Sequence, residues 1–250
     1  MQNPKVSVVI PAYNEEKYIE KTLKAVFAQD YPNFEVIVVD NGSTDRTSEI
    51  VKKYLNPKLK IVEEPSIGIT FARQRGLVES TGEIVAQLDA DCIPEPWWIS
   101  RGVNFLIKKD NAVSISGPYV FYDYGKIRKN ILFILSVIFQ NAYNIFGKLF
   151  GFGGFILGGN SMIKTDLLKK SGGYDTKIKF YGEDTDVGNR ISKLGKTYYS
   201  RKMYCKSSAR RFMRIGFFKM LFLYCRNNVF YTFFKKDFLR SKLPESESIR

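Results

Sequence analysis

No histidine occurs anywhere in the 250 residues. That absence removes serine–histidine triads, HExxH zinc sites and imidazole bases at once, so any acid or base chemistry must come from carboxylates, lysine, tyrosine or cysteine. Cysteine is scarce as well. Cys92, Cys205 and Cys225 stand far apart without a CxxC spacing, which argues against a zinc cluster or a disulfide framework and suits a reducing compartment. Met1-Gln-Asn-Pro-Lys5 enters an apolar strand pattern directly, so no signal peptide is expected and the cytoplasmic side is the expected location. Long apolar runs are missing too. The longest uncharged one, Ile131 to Gly147, is interrupted by Ser136, Gln140, Asn141 and Asn144, marginal for a spanning helix and better suited to an interfacial or buried one.

What is present is unevenly distributed. Hydrophobic residues make up 44% of the chain, enough to fill a core. The formal net charge is +14, yet residues 201–250 hold 13 basic and 3 acidic residues, so most of the excess belongs to the C-terminal fifth. Val6–Ile10, Glu35–Asp40, Lys60–Val62 and Glu83–Asp89 read as short β-branched strands, most of them apolar enough to be buried on both faces. Helical patterns lie between them at Glu15–Ala28, Thr44–Leu55 and Gly68–Glu79, with a further helix near Glu183–Leu194. Strand alternating with helix predicts a mostly parallel α/β sheet, which binds ligands at the carboxyl ends of its strands. Asn14, Asp40 and Asp89 all fall at such ends.

Asp89-Ala90-Asp91 follows the fourth strand. Carboxylate oxygens are what Mg²⁺ or Mn²⁺ prefers, and an extended Asp-x-Asp would point both carboxylates to one face. An Asp pair after a strand equally makes turns and helix caps. Its surroundings add weight. Pro11-Ala-Tyr-Asn-Glu-Glu16, Val39-Asp-Asn-Gly-Ser-Thr-Asp45, Phe71-Ala-Arg-Gln-Arg-Gly76, Leu88-Asp-Ala-Asp91, Gly158-Gly-Asn-Ser-Met162, Gly172-Gly-Tyr-Asp175 and Gly182-Glu-Asp184 occur in this order. Together they resemble the inverting family 2 glycosyltransferases over roughly residues 5–200. The resemblance implies the GT-A nucleotide-diphospho-sugar transferase fold, a Rossmann-like, mostly parallel mixed sheet with helices on both faces, here followed by a C-terminal helical extension.

The same resemblance implies roles. Pro11, Tyr13, Asn14, Glu15, Asp40, Arg73, Arg75, Asp89, Ala90 and Asp91 would form the nucleotide-sugar site, with Tyr13 stacking on the base, Asp40 bonding its edge, and Arg73 and Arg75 beside the diphosphate. Asp91, with Asp89, would hold the divalent cation. Gly158, Gly159 and Asn160 would line the acceptor side. Glu183 and Asp184 would be the catalytic pair, Asp184 deprotonating an acceptor hydroxyl or orienting an acceptor that is already anionic. The implied reaction moves a sugar, with inversion, from a UDP-sugar, or as second choice a GDP-sugar, to a saccharide or polyprenyl-phosphate-type acceptor.

Two features depart from the family or exceed it. Many metal-dependent relatives carry a late histidine that completes the cation's coordination; here Cys205, Ser207 or water would have to substitute. Beyond it, basic residues interleave with phenylalanines from Arg210 to Lys242, a composition suited to the anionic interface of a bilayer. The expected division is a catalytic domain at 1–205, a basic, aromatic helical extension at 206–243 and a disordered tail at 244–250, peripheral at the cytoplasmic face of the membrane. The same tail would suit a nucleic-acid- or membrane-binding protein without catalysis, but that reading leaves the carboxylate series unexplained, and no nucleic-acid partner is expected. A sugar-1-phosphate nucleotidyltransferase ranks lower, because Val8-Val-Ile-Pro-Ala-Tyr-Asn14 stands where its glycine-rich, arginine-containing loop would be.

Overall fold

The β-branched runs form strands, and their alternation fixes which helices cover which face. The computed structural model describes residues 3–150, 154, 156–178, 182–220, 222, 223 and 226. The first half contains β1 (Val6–Ala12), α1 (Ile19–Phe27), β2 (Phe34–Asp40), α2 (Thr47–Lys52), β3 (Leu59–Glu63), α3 (Ile69–Glu79), β4 (Ile84–Leu88), β5 (Cys92–Pro94) and α4 (Trp98–Lys108). The second half contains β6 (Ala112–Ser116), β7 (Tyr119–Phe121), α5 (Lys126–Phe150), β8 (Asn160–Lys164), α6 (Thr165–Lys170), α7 (Glu183–Ile191), β9 (Lys196–Tyr199), β10 (Cys205–Ser207) and α8 (Arg210–Ile215).

Among the described residues seven strands make one sheet in the order β3-β2-β1-β4-β8-β6-β9. β3, β2, β1 and β4 run parallel, and β8 is antiparallel to both its neighbours. Val6, Val8 and Ile10 of β1 pack on one face with Ile19, Leu23 and Val26 of α1 and with Trp98, Ile99 and Val103 of α4. Val9, one residue out of phase, packs on the other with Ala72 and Leu77 of α3 and with Val187 and Ile191 of α7. Side chains alternate along a strand, so a run apolar at every position must be covered twice. Each fully buried Leu or Ile in these layers contributes about 1.5–3 kcal/mol.

Two helices start several residues later than their sequence patterns. Residues 14–16 spend their backbone N–H groups on another loop, donating to Ser43 Oγ (3.1 Å), Thr47 Oγ1 (2.7 Å) and Asp45 Oδ2 (3.0 Å). Asn14 Oδ1 in return accepts from the backbone N–H of Thr44 (2.8 Å). These exchanges delay α1 to Ile19 and α2 to Thr47, and they tie the loops after β1 and β2 into one rim.

A second sheet has the order β5-β10-β7. It straddles the boundary expected at 205/206, because β10 contains residues on both sides and pairs with β5 and β7. α8 then packs through Phe212 with Tyr124 and Leu132, so the start of the extension is joined to the domain. Phe230, Phe233, Phe234, Phe238 and the tail 244–250 lie outside the described residues. No helix among the described residues is long and apolar enough to cross a membrane.

Candidate active site

Because β1, β2 and β4 are parallel neighbours, the residues following them emerge at one edge. After β4 the chain turns at Asp89-Ala90-Asp91, where Cys92 N–H donates to the Asp89 carbonyl (3.0 Å). Ala90 is fully buried, and its carbonyl accepts from Thr22 Oγ1 (2.7 Å). The turn gives the two carboxylates different partners. Asp89 meets Arg73 (3.4 Å), and Asp91 meets Arg210 (3.1 Å).

Arg73 is the hub of the first group. Its side chain, 3% exposed, issues from the buried face of α3 and reaches Asp89, Glu183 (3.2 Å) and Asp184 (2.7 Å). One guanidinium thus joins the turn after β4 to the first turn of α7, which is almost 100 residues away in sequence. Burial first, then the Asp184 charge, pushes the Glu183 carboxyl up to about 7 against the pull of Arg73. Asp184 is also raised by burial, although Arg73 and the Gly158 N–H, which donates to its Oδ2 (2.8 Å), oppose the rise. Arg75, two residues along α3, does not join this group: it lies on the exposed side and pairs with Glu79 (3.1 Å).

The small sheet brings in two residues that no motif marked. Tyr119, at the start of β7, donates its hydroxyl to Asp89 Oδ2 (3.2 Å), and burial with the Asp89 charge pushes its phenol well up. Ser207 of β10 lies opposite Cys92 in register, which places Arg210 beside Asp91 three residues later. Arg210 also grips both oxygens of fully buried Glu15 and lies over the Tyr18 ring at 4.6 Å. Cys205, fully buried, and Ser207 belong to the strand itself, so Arg210 is the residue of this segment that reaches Asp91. The only sequence signal for it was basicity, which read as part of the tail.

On the nucleotide side, Tyr13 and Asn14 are partly buried while Pro11 is buried within the sheet. Asp40 is buried, and its Oδ1 accepts from the Ser43 N–H (2.9 Å). The Asn14 side chain, at φ 52°, is used in holding the 44–45 loop. On the acceptor side the glycines are needed for close approach. A Cβ on Gly158 would overlap Asp184 Oδ1 and Arg73 Nη1, and one on Gly159 would overlap the Asp89 carboxylate and the Tyr119 hydroxyl. Asn160 is fully buried and points elsewhere, accepting from Trp98 Nε1 and donating to the carbonyls of Gly117 and Met203.

Ion pairs therefore link five carboxylates, Glu15, Asp89, Asp91, Glu183 and Asp184, to two guanidiniums, Arg73 and Arg210. A region with that surplus of negative charge repels an anionic diphosphate unless further positive charge arrives, so the donor set fits a divalent ion. No cluster of three His, Cys, Asp or Glu able to hold a metal exists among the described residues. Such an ion would take Asp91 and Asp89 as its protein ligands and complete its coordination with phosphate oxygens and water.

Comparison with known proteins gives the chain a family and a fold. The model of the family described as glycosyl transferase family 2 matches residues 7–172. Glycosyltransferase AglE of Haloferax volcanii is 42% identical over 126 residues, covering 48% of this chain and 41% of the relative. The probable glycosyltransferase YdaM of Bacillus subtilis is 35% identical over 202 residues, 77% of this chain and 47% of the relative. The chain thus spans less than half the length of these two relatives. Among solved structures, mannosyltransferase PcManGT from Pyrobaculum calidifontis, in complex with GDP-Man and Mn²⁺, shares the fold at a TM-score of 0.65 and 24% identity, covering 90% of this chain and 65% of that one. S. aureus TarS in complex with UDP-GlcNAc gives a TM-score of 0.59 at 25% identity, with 82% and 59% covered.

Proposed function

The chain belongs to glycosyl transferase family 2, and from that premise we propose that it transfers a sugar from a nucleoside diphosphate donor to a hydroxyl or lipid-phosphate acceptor with inversion, a UDP-sugar being the favoured donor. The observation that carries this reading is Arg73, which holds the Asp-x-Asp turn and the Glu183–Asp184 pair within one guanidinium's reach. Donor-side and acceptor-side carboxylates are thereby fixed relative to each other before any substrate enters, the preorganisation that a displacement at an anomeric carbon needs.

In this reading Tyr13 and Asp40 hold the base at the rim. Asp184, whose Oδ2 is aimed by the Gly158 N–H, takes the proton of an acceptor hydroxyl as its oxygen attacks the face opposite the departing diphosphate. Glu183 and Arg73 keep Asp184 in place. Asp91, with Asp89, would hold Mg²⁺ or Mn²⁺, which supplies positive charge to the leaving nucleoside diphosphate. An acceptor phosphate is already anionic, and Asp184 then orients it without removing a proton.

Calorimetric titration of UDP and GDP, each with and without Mn²⁺, tests the donor site. Micromolar binding of one nucleotide is expected with Mn²⁺, weakened at least about tenfold in Asp91→Asn because a carboxylate ligand is lost. Absence of binding for both nucleotides at every Mn²⁺ concentration overturns the reading.

Membrane attachment also belongs to this proposal, supported by a surface within the apolar segment that the sequence reads as interfacial or buried. Ile127, Ile131, Ile134 and Ile138 are all exposed on α5 at spacings of four, three and four, one helix face. Lys126, Arg128 and Lys129 stand at its start, and Leu132 packs toward α8 on another side. An apolar stripe beside cations suits the interface of an anionic bilayer. Replacing both Ile131 and Ile134 with Asp is expected to lower partitioning onto phosphatidylglycerol-containing vesicles by about tenfold or more in a sedimentation assay. Equal partitioning of the variant and the parent removes α5 as the docking face.

A further inference from the structure

Arg210 occupies a place that the donor-site reading alone does not explain. Its guanidinium makes a two-pronged pair with Glu15, which is fully buried, and a further contact from Nη2 to Asp91 Oδ2 at 3.1 Å. The residues before it are pinned as well: Asp123 accepts from Ser208 Oγ and from the Ala209 N–H. Arg210 is thus delivered to Asp91 by a strand in register, a helix start fastened to Asp123 and a buried carboxylate partner. Its Nε–H is buried, yet the side chain as a whole stays 20% exposed, so part of the guanidinium remains open to a ligand.

A guanidinium is always charged and cannot give up its proton. Placed on Asp91, it has two opposite effects. Toward a divalent ion arriving alone, it competes for the same carboxylate and repels the ion at short range. Toward a nucleoside diphosphate, it is an attractive charge with donors to spare. We propose that Arg210 is the resident cation of the donor site: it holds Asp91 in the free protein, so that the divalent ion binds weakly by itself and tightly only together with a nucleoside diphosphate. The inference rests on Asp91 being the carboxylate of the donor site. It also gives the segment after β10 a role where relatives of the resemblance carry a histidine. That segment would add charge of its own to the diphosphate instead of completing an ion's coordination.

Mn²⁺ titrated alone into the full chain, followed by the electron paramagnetic resonance of the free aquo ion, tests it without any nucleotide. Arg210→Ala is expected to bind Mn²⁺ at least about tenfold more tightly than the parent, a shift equivalent to one decade in affinity. Arg210→Lys, which keeps the charge but loses the fork, is expected in between, and it keeps the comparison usable if Arg210→Ala does not fold. The double variant Arg210→Ala with Asp91→Asn is expected to lose the gain. Equal Mn²⁺ affinity in parent and Arg210→Ala overturns the proposal, as does a gain that survives the Asp91 replacement. A residue that only fastens α8 lowers the Tm in Arg210→Ala and leaves Mn²⁺ affinity where it was. The outcome is independent of the UDP and GDP titrations, so a failed transferase reading and a failed role for Arg210 are told apart.

Discussion

Asp184→Asn lowers the turnover with a hydroxyl acceptor by about 10²–10⁴-fold, the range a lost general base produces. Nucleotide affinity in the same variant stays within about threefold of the parent, because Asp184 faces the acceptor-side glycine and the donor carboxylates remain in place. The assay is nucleotide release with octyl glycosides and, in parallel, with a polyprenyl phosphate as acceptor. With the phosphate acceptor the loss is expected to be less than about tenfold, since no proton has to be removed. The variant thereby separates the two acceptor classes. The parent's rate with a hydroxyl acceptor is expected to rise as pH increases through about 7, where the Glu183 carboxyl loses its proton. Below that pH Glu183 is neutral and withdraws the neighbouring negative charge that makes Asp184 the better base. A flat profile from pH 5 to 9 with a hydroxyl acceptor, or an unchanged turnover in Asp184→Asn, removes the base from this position.

Arg73→Met produces the largest stability effect. Methionine fills much of the same apolar volume, but Asp89, Glu183 and Asp184 lose the cation they share in a place where the arginine side chain is only 3% exposed. Removing one partner of a buried ion pair costs about 3–5 kcal/mol because the remaining charge is left uncompensated. The cost depends on pH in a definite direction. Glu183 already has a folded-state carboxyl raised above its ordinary value, and Arg73 is among the causes that lower it. Without Arg73 the carboxyls rise further. A group with a raised folded pKa adds its stability below the unfolded pKa and loses it as pH climbs through the folded one. Denaturant unfolding should therefore find Arg73→Met most destabilised near pH 8, with the deficit shrinking toward pH 5 as the carboxyls protonate. An equal deficit at both pH values means that the arginine acts through packing alone.

Arg73 and Arg75 take different places on α3. The Phe71–Gly76 motif placed both beside the nucleotide on the strength of resemblance. On α3 the two positions lie on different sides, and burial divides them: Arg73 turns inward to three carboxylates while Arg75 stays with Glu79 in solvent. Periodicity alone holds this information, since residues two apart on a helix do not face the same way. It does not say which of the two faces inward, because that depends on where α7 docks.

Asn160 teaches a related lesson from the acceptor side. Gly158-Gly-Asn reads as a turn with a polar side chain to offer, yet the Asn160 amide is consumed by Trp98, Gly117 and Met203. A buried amide must find partners, and the Trp98 indole with the carbonyls of Gly117 and Met203 supplies them. The glycines keep their importance for a reason that composition could not give, the lack of space between the backbone and the carboxylates of Asp89 and Asp184.

Local chemistry determined what was legible in the sequence. The first four β-branched strands, the helices between them and the polar residues at their ends are written in patterns of two and 3.6 residues, so the parallel half of the sheet and the edge where its loops emerge are legible in the sequence, whereas β8, β6 and β9 are not. The Asp-x-Asp and Glu-Asp carboxylates were recognisable because their short motifs stand at the ends of elements. Tertiary structure alone decided what those carboxylates touch. Tyr119 reaches Asp89 and Arg210 reaches Asp91 because β7 and β10 pair in a small second sheet, a long-range register that no local pattern encodes. The exposed isoleucine stripe of α5 became visible only once its packed side was known. Periodicity tells which residues share a face, but burial and charge pairing are properties of what comes to lie opposite, and that is settled only when the whole chain has folded.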